Sequence, residues 1–447
     1  MKFLLLACAL EAHYVLLRSF ASLQSRLVET IILLFSAGIF YLISCWLLWD
    51  RPPGLPVPRP SDAPCLRLRW IILAALAFRI TVWPLYPALS DDPFRYRWEG
   101  KLQSAGGNPY ETRPRDPEWA RLRDSAFPQV VGKDFKAVYG PLLELIERGT
   151  YVVVSRFEAD PRRQVFWFKV PSAFFDLCIL AALSLLLKAR GLRAELLMVY
   201  AWSPLPIVEF WATGHNDSVE ILFVLLALLA ASRNRWTWAF AALSMATAAK
   251  LWPALLFPLF IGWNGKWPVR WYQWWVALPI FALFALPYWT NIWENARFAT
   301  GFVSGWRNND SLYGAVLWAA NGDAYLAKKT AFAIMAAAVA AVTLLRWPLE
   351  KGALAVIATI LLFSSNCHPW YLTWLLPMLA FYPLPAFLLW TAVVPLAYES
   401  VIRWTALGEW AGPSELRWYA YVPVFALLVW HAVTAGAQIR SRPSAVE

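Results

Sequence analysis

Apolar stretches long enough to cross a bilayer recur along this chain from end to end. A hydrocarbon core about 30 Å thick takes about 20 residues of helix. Uncharged runs of that order stand at 31–49, 271–293 and 418–439, and 352–398 carries no charged side chain apart from His368. Shorter or lightly charged runs lie at 2–17, 66–86, 138–155, 170–187, 196–211, 218–231, 236–262 and 330–345. The sum predicts about 12–13 transmembrane helices, bent or broken where Pro204, Pro206, Pro253, Pro258, Pro279 and Pro287 interrupt them. Whether 138–155 crosses fully or turns back stays open.

Composition closes off the alternatives. Only 15% of the 447 residues are charged and 60% are hydrophobic, against about 25% and 45–50% in soluble domains. No water-facing globular surface can be covered by so few charges, so the chain is read as one all-α, polytopic integral membrane domain, 1–447. The net charge of +11 sits in short clusters between apolar runs. Such clusters orient helices in a bilayer and do not point to nucleic acid. Five cysteines (Cys8, Cys45, Cys65, Cys178, Cys367) and four histidines show no metal-ligand spacing, so no metal centre is assigned. The apolar run before Cys8 is short and the pattern continues through Glu11 and His13, which favours a first membrane helix over a cleaved leader.

One segment breaks the pattern. From 89 to 136 the chain is polar, with Asp91, Asp92, Glu99, Asp116 and Asp134 balanced by Arg95, Arg97, Lys101, Arg113 and Arg115. Asp92-Pro93 reads as a helix start and Gly106-Gly107-Asn108-Pro109 as its end. Arg51, Arg59, Arg67 and Arg69 lie between the second and third spans, and only Arg18 and Arg26 between the first and second. Placing the richer side in the cytoplasm sends the 89–136 loop outside.

Two adjacent carboxylates directly after a span, at the outer interface, raise each other's affinity for a proton. On spacing alone Asp91 and Asp92 can be a general base toward a sugar hydroxyl, ligands to a divalent cation bridging a phosphate, or a helix cap. Arg307, in a polar turn, and Lys250 and His368, in otherwise uncharged stretches, are candidates to meet an anionic group. Arg95 and Arg97 are nearest the carboxylates in sequence. His215-Asn216-Asp217 is a polar triplet between apolar runs, read either as a sugar-binding or base-orienting group or as a turn capping the Ser218 helix. Most of the 29 tryptophans are read as interfacial belts, with Trp98 and Trp370 as candidates to stack on sugar.

Asp91-Asp92, the run Arg95-Tyr96-Arg97-Trp98-Glu99-Gly100 and Gly106-Gly107-Asn108-Pro109-Tyr110 together resemble the first outer loop of the GT-C membrane glycosyltransferases. More particularly, the chain resembles bacterial mannosyltransferases related to the glycosylphosphatidylinositol mannosyltransferase I family. Later landmarks keep that order: Tyr139-Gly140-Pro141-Leu142-Leu143, Lys169 with Asp176, and Trp202-Ser203-Pro204-Leu205-Pro206. Gly214-His215-Asn216-Asp217-Ser218, Lys250-Leu251-Trp252-Pro253 and Asn366-Cys367-His368-Pro369-Trp370-Tyr371 follow. Glu99 stands where relatives usually carry Asp, and Asp91-Asp92 lacks the spaced Asp-x-Asp of the eukaryotic branch.

The resemblance implies a GT-C fold with a lipid-accessible cavity roofed by the 89–136 loop. It implies transfer of a hexose, mannose first, from a polyprenyl-phosphate sugar to a glycolipid or glycan hydroxyl, with inversion. Asp91 or Asp92 would be the base, Asp91 preferred because Asp92-Pro93 is the better helix start. Arg307, Lys250, His368, Arg95, Arg97, His215, Asp217 and Tyr371 would contact substrates. No cofactor is assigned, with Mg²⁺ or Mn²⁺ left open. Membrane lipid is the remaining partner, and a monomer in a bacterial plasma membrane, with its active site on the extracytoplasmic face, is expected. The competing reading is a transporter or flippase of lipid-linked sugars, although no internal repeat of broken helices supports it.

Overall fold

The computed structural model describes residues 1–49, 68–262, 270–289, 307–407 and 412–440. Arg51, Arg59, Arg67, Cys65 and the Trp306 that precedes Arg307 lie outside the described residues. Within them every regular element is helical; the sole extended pairing is an isolated bridge between Asn308 and Asn366. This is an all-α polytopic membrane protein. Among the described residues, four helices are long and apolar enough to cross a membrane unaided: Leu27–Leu48, Pro161–Ala189, Ala324–Leu344 and Pro385–Thr405. Most of the other expected spans are shorter helices or are split where proline removes a backbone donor.

Apolar residues face both ways, as a bilayer requires. Leu10, Tyr14, Ala37, Tyr41 and Leu183 are buried between helices, while Leu4, Ile32, Trp46, Leu344 and Val429 look outward. Outward-facing leucine and tryptophan would be a liability in water and are neutral in lipid. Small residues allow close helix approach: a side chain at Gly38 would clash with the Ala392 backbone.

Helix α1 (Lys2–Arg18) packs against both α2 (Leu27–Leu48) and α3 (Leu68–Val82). After α3 the chain leaves the bundle and forms α4 (Asp92–Ser104), which lies along α5 (Pro141–Val154), with α6 (Pro161–Trp167) against both. The 14 residues of α5 extend only about 21 Å, less than the hydrocarbon core. Its neighbours also stay at one end of the bundle. Tyr86, just past α3, donates to the Arg162 carbonyl of α6 at 2.8 Å. Lys169, opening α7 (Lys169–Ala189), donates to the carbonyls of Trp83 and Leu85, each at 2.6 Å. The segment 138–155 therefore turns back, and the polar unit that begins at 89 continues through α6.

The next apolar run is broken into α8 (Met198–Ala201), α9 (Pro204–Pro206) and a π-turn over Ile207–Thr213. Two prolines lacking N–H groups interrupt the usual ladder, and the widened turn follows. Gly214, with φ of 85°, ends it: its N–H and that of His215 both reach the Glu209 carbonyl, at 2.9 and 2.8 Å. A Cβ at Gly214 would come within 2.7 Å of Lys169. Helices α10 (Ser218–Ser232) and α11 (Trp236–Ala249) then form a tight hairpin that ends at Lys250.

Candidate active site

At the end of the bundle where α4 begins, a cavity of about 1510 Å³ opens between the loop and the helices. Its apolar wall includes Leu255, Phe281, Phe332, Met335 and Leu361, and residues 128–136 of the loop close another side. Polar groups converge on the remaining wall, where Asp91, Asp92, Lys250, His368, Tyr371 and Tyr398 all face the space.

The acidic pair is placed by the start of α4. Asp91 occupies the N-cap position without a side-chain capping bond, and Asp92 is the first helical residue, its N–H donating to Ser90 Oγ at 3.2 Å. Neither carboxylate is consumed in capping, so the cap reading of the pair does not hold. Burial, then the Asp92 charge, pushes the Asp91 carboxyl up to about 6, with Lys133 acting in the opposite sense. Burial also raises Asp92, against the pull of His215 and Lys250.

Behind Asp92 runs a chain of titratable groups. His215 Nε2 lies 3.8 Å from Asp92 Oδ2, and His215 Nδ1 lies 2.8 Å from Glu209 Oε2. Tyr398 donates to the other Glu209 oxygen. The His215 ring is clamped by Trp370, stacked at 3.8 Å and 16°, and Trp370 in turn stacks on His368 at 4.4 Å and 4°. Histidine, aromatic ring and histidine thus form one column. His368 is set by a second chain segment, because Asn308 Nδ2 lies 2.8 Å from its Nδ1 while Asn308 and Cys367 exchange a backbone bond of 2.9 Å.

Lys250 is buried between carboxylates: its Nζ lies 2.6 Å from Asp217 and 3.5 Å from Glu220, with Tyr371 and Trp374 rings 5.6 and 5.9 Å away. Trp374 Nε1 also donates to Asp217, at 2.8 Å. One ammonium faces two acids, so its charge is already spoken for. Asp217 anchors Lys250 and Trp374 and is set back from the cavity.

The remaining sequence candidates separate clearly. Arg95 lines the cavity but is fully engaged, with Glu99 at 2.6 Å and the carbonyls of Gly132 and Phe135 at 2.7 and 3.0 Å. Arg97 points away, to Gln164 at 2.8 Å and to Asp124 at 2.8 and 3.2 Å, where Lys101 joins at 2.6 Å. Burial pushes the Asp124 carboxyl up, but these two cations overcome it and hold it below its ordinary value. Both arginines thus staple the loop to α4 through charge-assisted hydrogen bonds. Arg307 pairs with Asp310 at 2.7 Å and does not line the cavity. Trp98 is buried against Phe127 in the loop's own apolar core, so it is not a sugar platform; Trp370 does face the cavity. Lys169 and Asp176 do not pair with each other: Lys169 holds the end of α3, and Asp176 binds Arg79.

Sequence reading missed Glu209, Tyr139, Glu220, Lys133, Lys328 and Lys329. Glu209 and Glu220 carry a usable signal, an acid inside an apolar run, the same signal that marks Lys250 and His368. Tyr139 lines the cavity beside Asp92 and interacts with its carboxylate. Lys328 and Lys329, on the first turns of the helix Ala324–Leu344, line the cavity and pair with no carboxylate among the described residues. Only the fold brings them to the same cavity as residues 91 and 92.

Residues 5–265, more than half of the chain, match a family described as alpha-(1->6)-mannopyranosyltransferase, N-terminal domain. No curated protein matches, and no solved structure matches.

Proposed function

The chain belongs to the alpha-(1->6)-mannopyranosyltransferase family, and from that premise we propose how this membrane mannosyltransferase works. A mannosyl unit passes from a polyprenyl-phosphate donor to a hydroxyl of a lipid- or glycan-linked acceptor, and C1 inverts. The carrying observation is the pair of uncapped carboxylates facing a cavity that also holds cations and an apolar wall. The apolar wall suits a lipid carrier, the cations suit its phosphate, and the acids suit an alcohol that must lose a proton.

Asp92 is the general base. Asp92 is preferred over Asp91 because His215 and Tyr139 stand against its carboxylate. The acceptor O–H gives its proton to Asp92 while its oxygen forms the bond to C1. The bond from C1 to the phosphate oxygen breaks, and its electron pair leaves with the phosphate. An α-linked product made with inversion requires a β-linked donor. General-base assistance of this kind contributes about 10²–10⁴-fold. His215, bracketed by Asp92 and Glu209, orients the base and spreads the charge that forms there, as a histidine between two acids can.

Lys328, Lys329 and Lys133 meet the donor phosphate in place of Arg307, Arg95 and Arg97, which are held by protein partners. His368 and Tyr371 face the sugar, and Trp370 stacks behind them. The base-rich 51–69 segment places the opposite end of the bundle in the cytoplasm, so the cavity works on the extracytoplasmic face of a plasma membrane.

The test uses the full chain in lipid nanodiscs with a radiolabelled mannosyl polyprenyl phosphate and a mannoside acceptor. We expect an α-(1→6)-linked product and a loss of about 10²-fold or more in Asp92→Asn. Unchanged transfer by Asp92→Asn overturns the assignment of the base. Movement of labelled lipid across the bilayer without any transfer replaces the whole reading with the flippase alternative.

A further inference from the structure

Three buried glutamates play no part in the chemistry above. Glu99 on α4 and Glu144 and Glu147, one turn apart on α5, are 1%, 0% and 4% exposed. One ligand oxygen from each lies within 4.8 Å of the others. Their partners are few. Arg95 binds Glu99 at 2.6 Å, and Gln103 donates to one Glu144 oxygen at 2.9 Å. Glu99 Oε2, Glu144 Oε1 and both oxygens of Glu147 are buried without a hydrogen-bond partner.

A fourth side chain independently points at the same spot. Asn216 is 8% exposed, neither its amide nitrogen nor its oxygen has a hydrogen-bond partner, and it faces Glu147. An amide that no protein group satisfies is a costly thing to bury. Its oxygen is a ready ligand to a cation. When ionised, the three carboxylates against the single guanidinium of Arg95 carry two excess negative charges in a closed space, which one divalent ion would balance.

We propose that Glu99, Glu144, Glu147 and Asn216 bind one hard divalent cation of the Mg²⁺, Mn²⁺ or Ca²⁺ class. All-oxygen donors select that class over zinc or copper, and ligand oxygens spread over 4.8 Å or less suit metal–oxygen bonds of about 2.1–2.4 Å. The ion joins three pieces of chain: the loop helix α4, the helix α5, and the turn that carries His215. It lies two helical turns beyond Asp92, about 10 Å along α4, so it touches neither donor phosphate nor acceptor. Its effect is to position, fixing the helix that carries the base against the turn that orients it. Close packing supports this: a Cβ at Gly100 would come within 2.4 Å of the Glu147 carbonyl, so α4 and α5 have no slack here.

The experiment measures binding apart from turnover. Full-length protein in detergent is stripped with a chelator and titrated with Mn²⁺, followed by electron paramagnetic resonance, with Ca²⁺ and Mg²⁺ as competitors. We expect one Mn²⁺ per chain, displaced by a competitor. Binding should weaken tenfold or more in Glu147→Gln and in Glu144→Gln, and be kept in Asp92→Asn. A metal-dependent rise in melting temperature should appear in the wild type and Asp92→Asn and vanish in Glu147→Gln. Absence of stoichiometric binding by folded wild type overturns the proposal, the three acids then being protonated. Binding retained by Glu147→Gln, or lost in Asp92→Asn, overturns it as well, the latter by moving the ion to the acidic pair. None of these readings depends on the identity of the sugar donor.

Discussion

Two buried clusters of charge, a short distance apart in the chain, are built in opposite ways. In the middle of the bundle Arg79 and Asp176 are both fully buried, with Arg79 Nε 2.6 Å from Asp176 Oδ2. The remaining valences are filled: Arg79 Nη1 donates to the carbonyls of Ala75 and Ala201, and Tyr200 and Trp211 donate to Asp176 at 2.6 and 2.8 Å. At the cavity His215 Nδ1 lies against Glu209, but His215 Nε2 is 3.8 Å from Asp92, beyond hydrogen-bond reach, and has no partner. A closed cluster has no capacity left for a ligand and holds helices together. An open one retains lone pairs and protons for something that comes and goes. The difference lies in saturation, since both clusters are buried and both pair opposite charges.

The contrast can be broken at either end. The largest expected effect is on turnover at the open cluster. Asp92→Asn should lower mannosyl transfer by about 10²–10⁴-fold with the melting temperature little changed, read by product formation and thermal unfolding together. At the closed cluster the pattern should reverse. Arg79→Met leaves Asp176 buried and unpaired, a loss of about 3–5 kcal/mol, visible as a lower melting temperature. Arg79→Met combined with Asp176→Leu should recover much of that stability, because no charge is stranded. Were Arg79→Met instead to melt normally and lose transfer, the division between structural and chemical clusters would fail.

Smaller effects sharpen the same contrast. Glu209→Gln keeps size and removes one of the two acids flanking His215, so kcat should fall about tenfold, on the order of a single lost charge-assisted contact, with KM nearly constant. A change confined to KM would instead assign Glu209 to substrate binding. A separate, pH-dependent effect concerns Asp91, whose carboxyl is pushed up to about 6, chiefly by burial. A raised carboxyl holds its proton more tightly when folded, so its ionisation opposes folding. Stability should therefore be greatest near pH 4, fall as pH rises through about 6, and level off above. Asp91→Asn should lack that step, so its stability advantage over the wild type grows from pH 4 to 7 in parallel melting curves.

Much of the architecture was legible from hydropathy alone, because a bilayer imposes one length and one polarity on whatever crosses it. The breaks around Pro204 and Pro206 were legible too, since proline's missing donor acts locally. The fate of 138–155 was not. An apolar face on a 14-residue helix fits a span or a surface helix equally, and only its packing along α4 decides. In the site, Asp91, Asp92, Lys250 and His368 were each marked by charge in an unusual setting and Tyr371 by the family resemblance, and all line one cavity. Arg95, Arg97 and Arg307 were picked out by the same reasoning and are bound to protein acids, because a cation's partner is set by contacts far away in sequence.

The chain's order of apolar and polar stretches determined that it is a helical membrane protein with one acidic, loop-borne pair at the end of a span. That much follows from local free energies of transfer, which each segment carries with it. Which acid faces the cavity, which histidine stands behind it, and which lysines remain unpaired were decided by the tertiary structure. Those outcomes depend on whether a buried group finds a partner, and residues 92, 209, 215 and 328 come together only when the helices close around a common space.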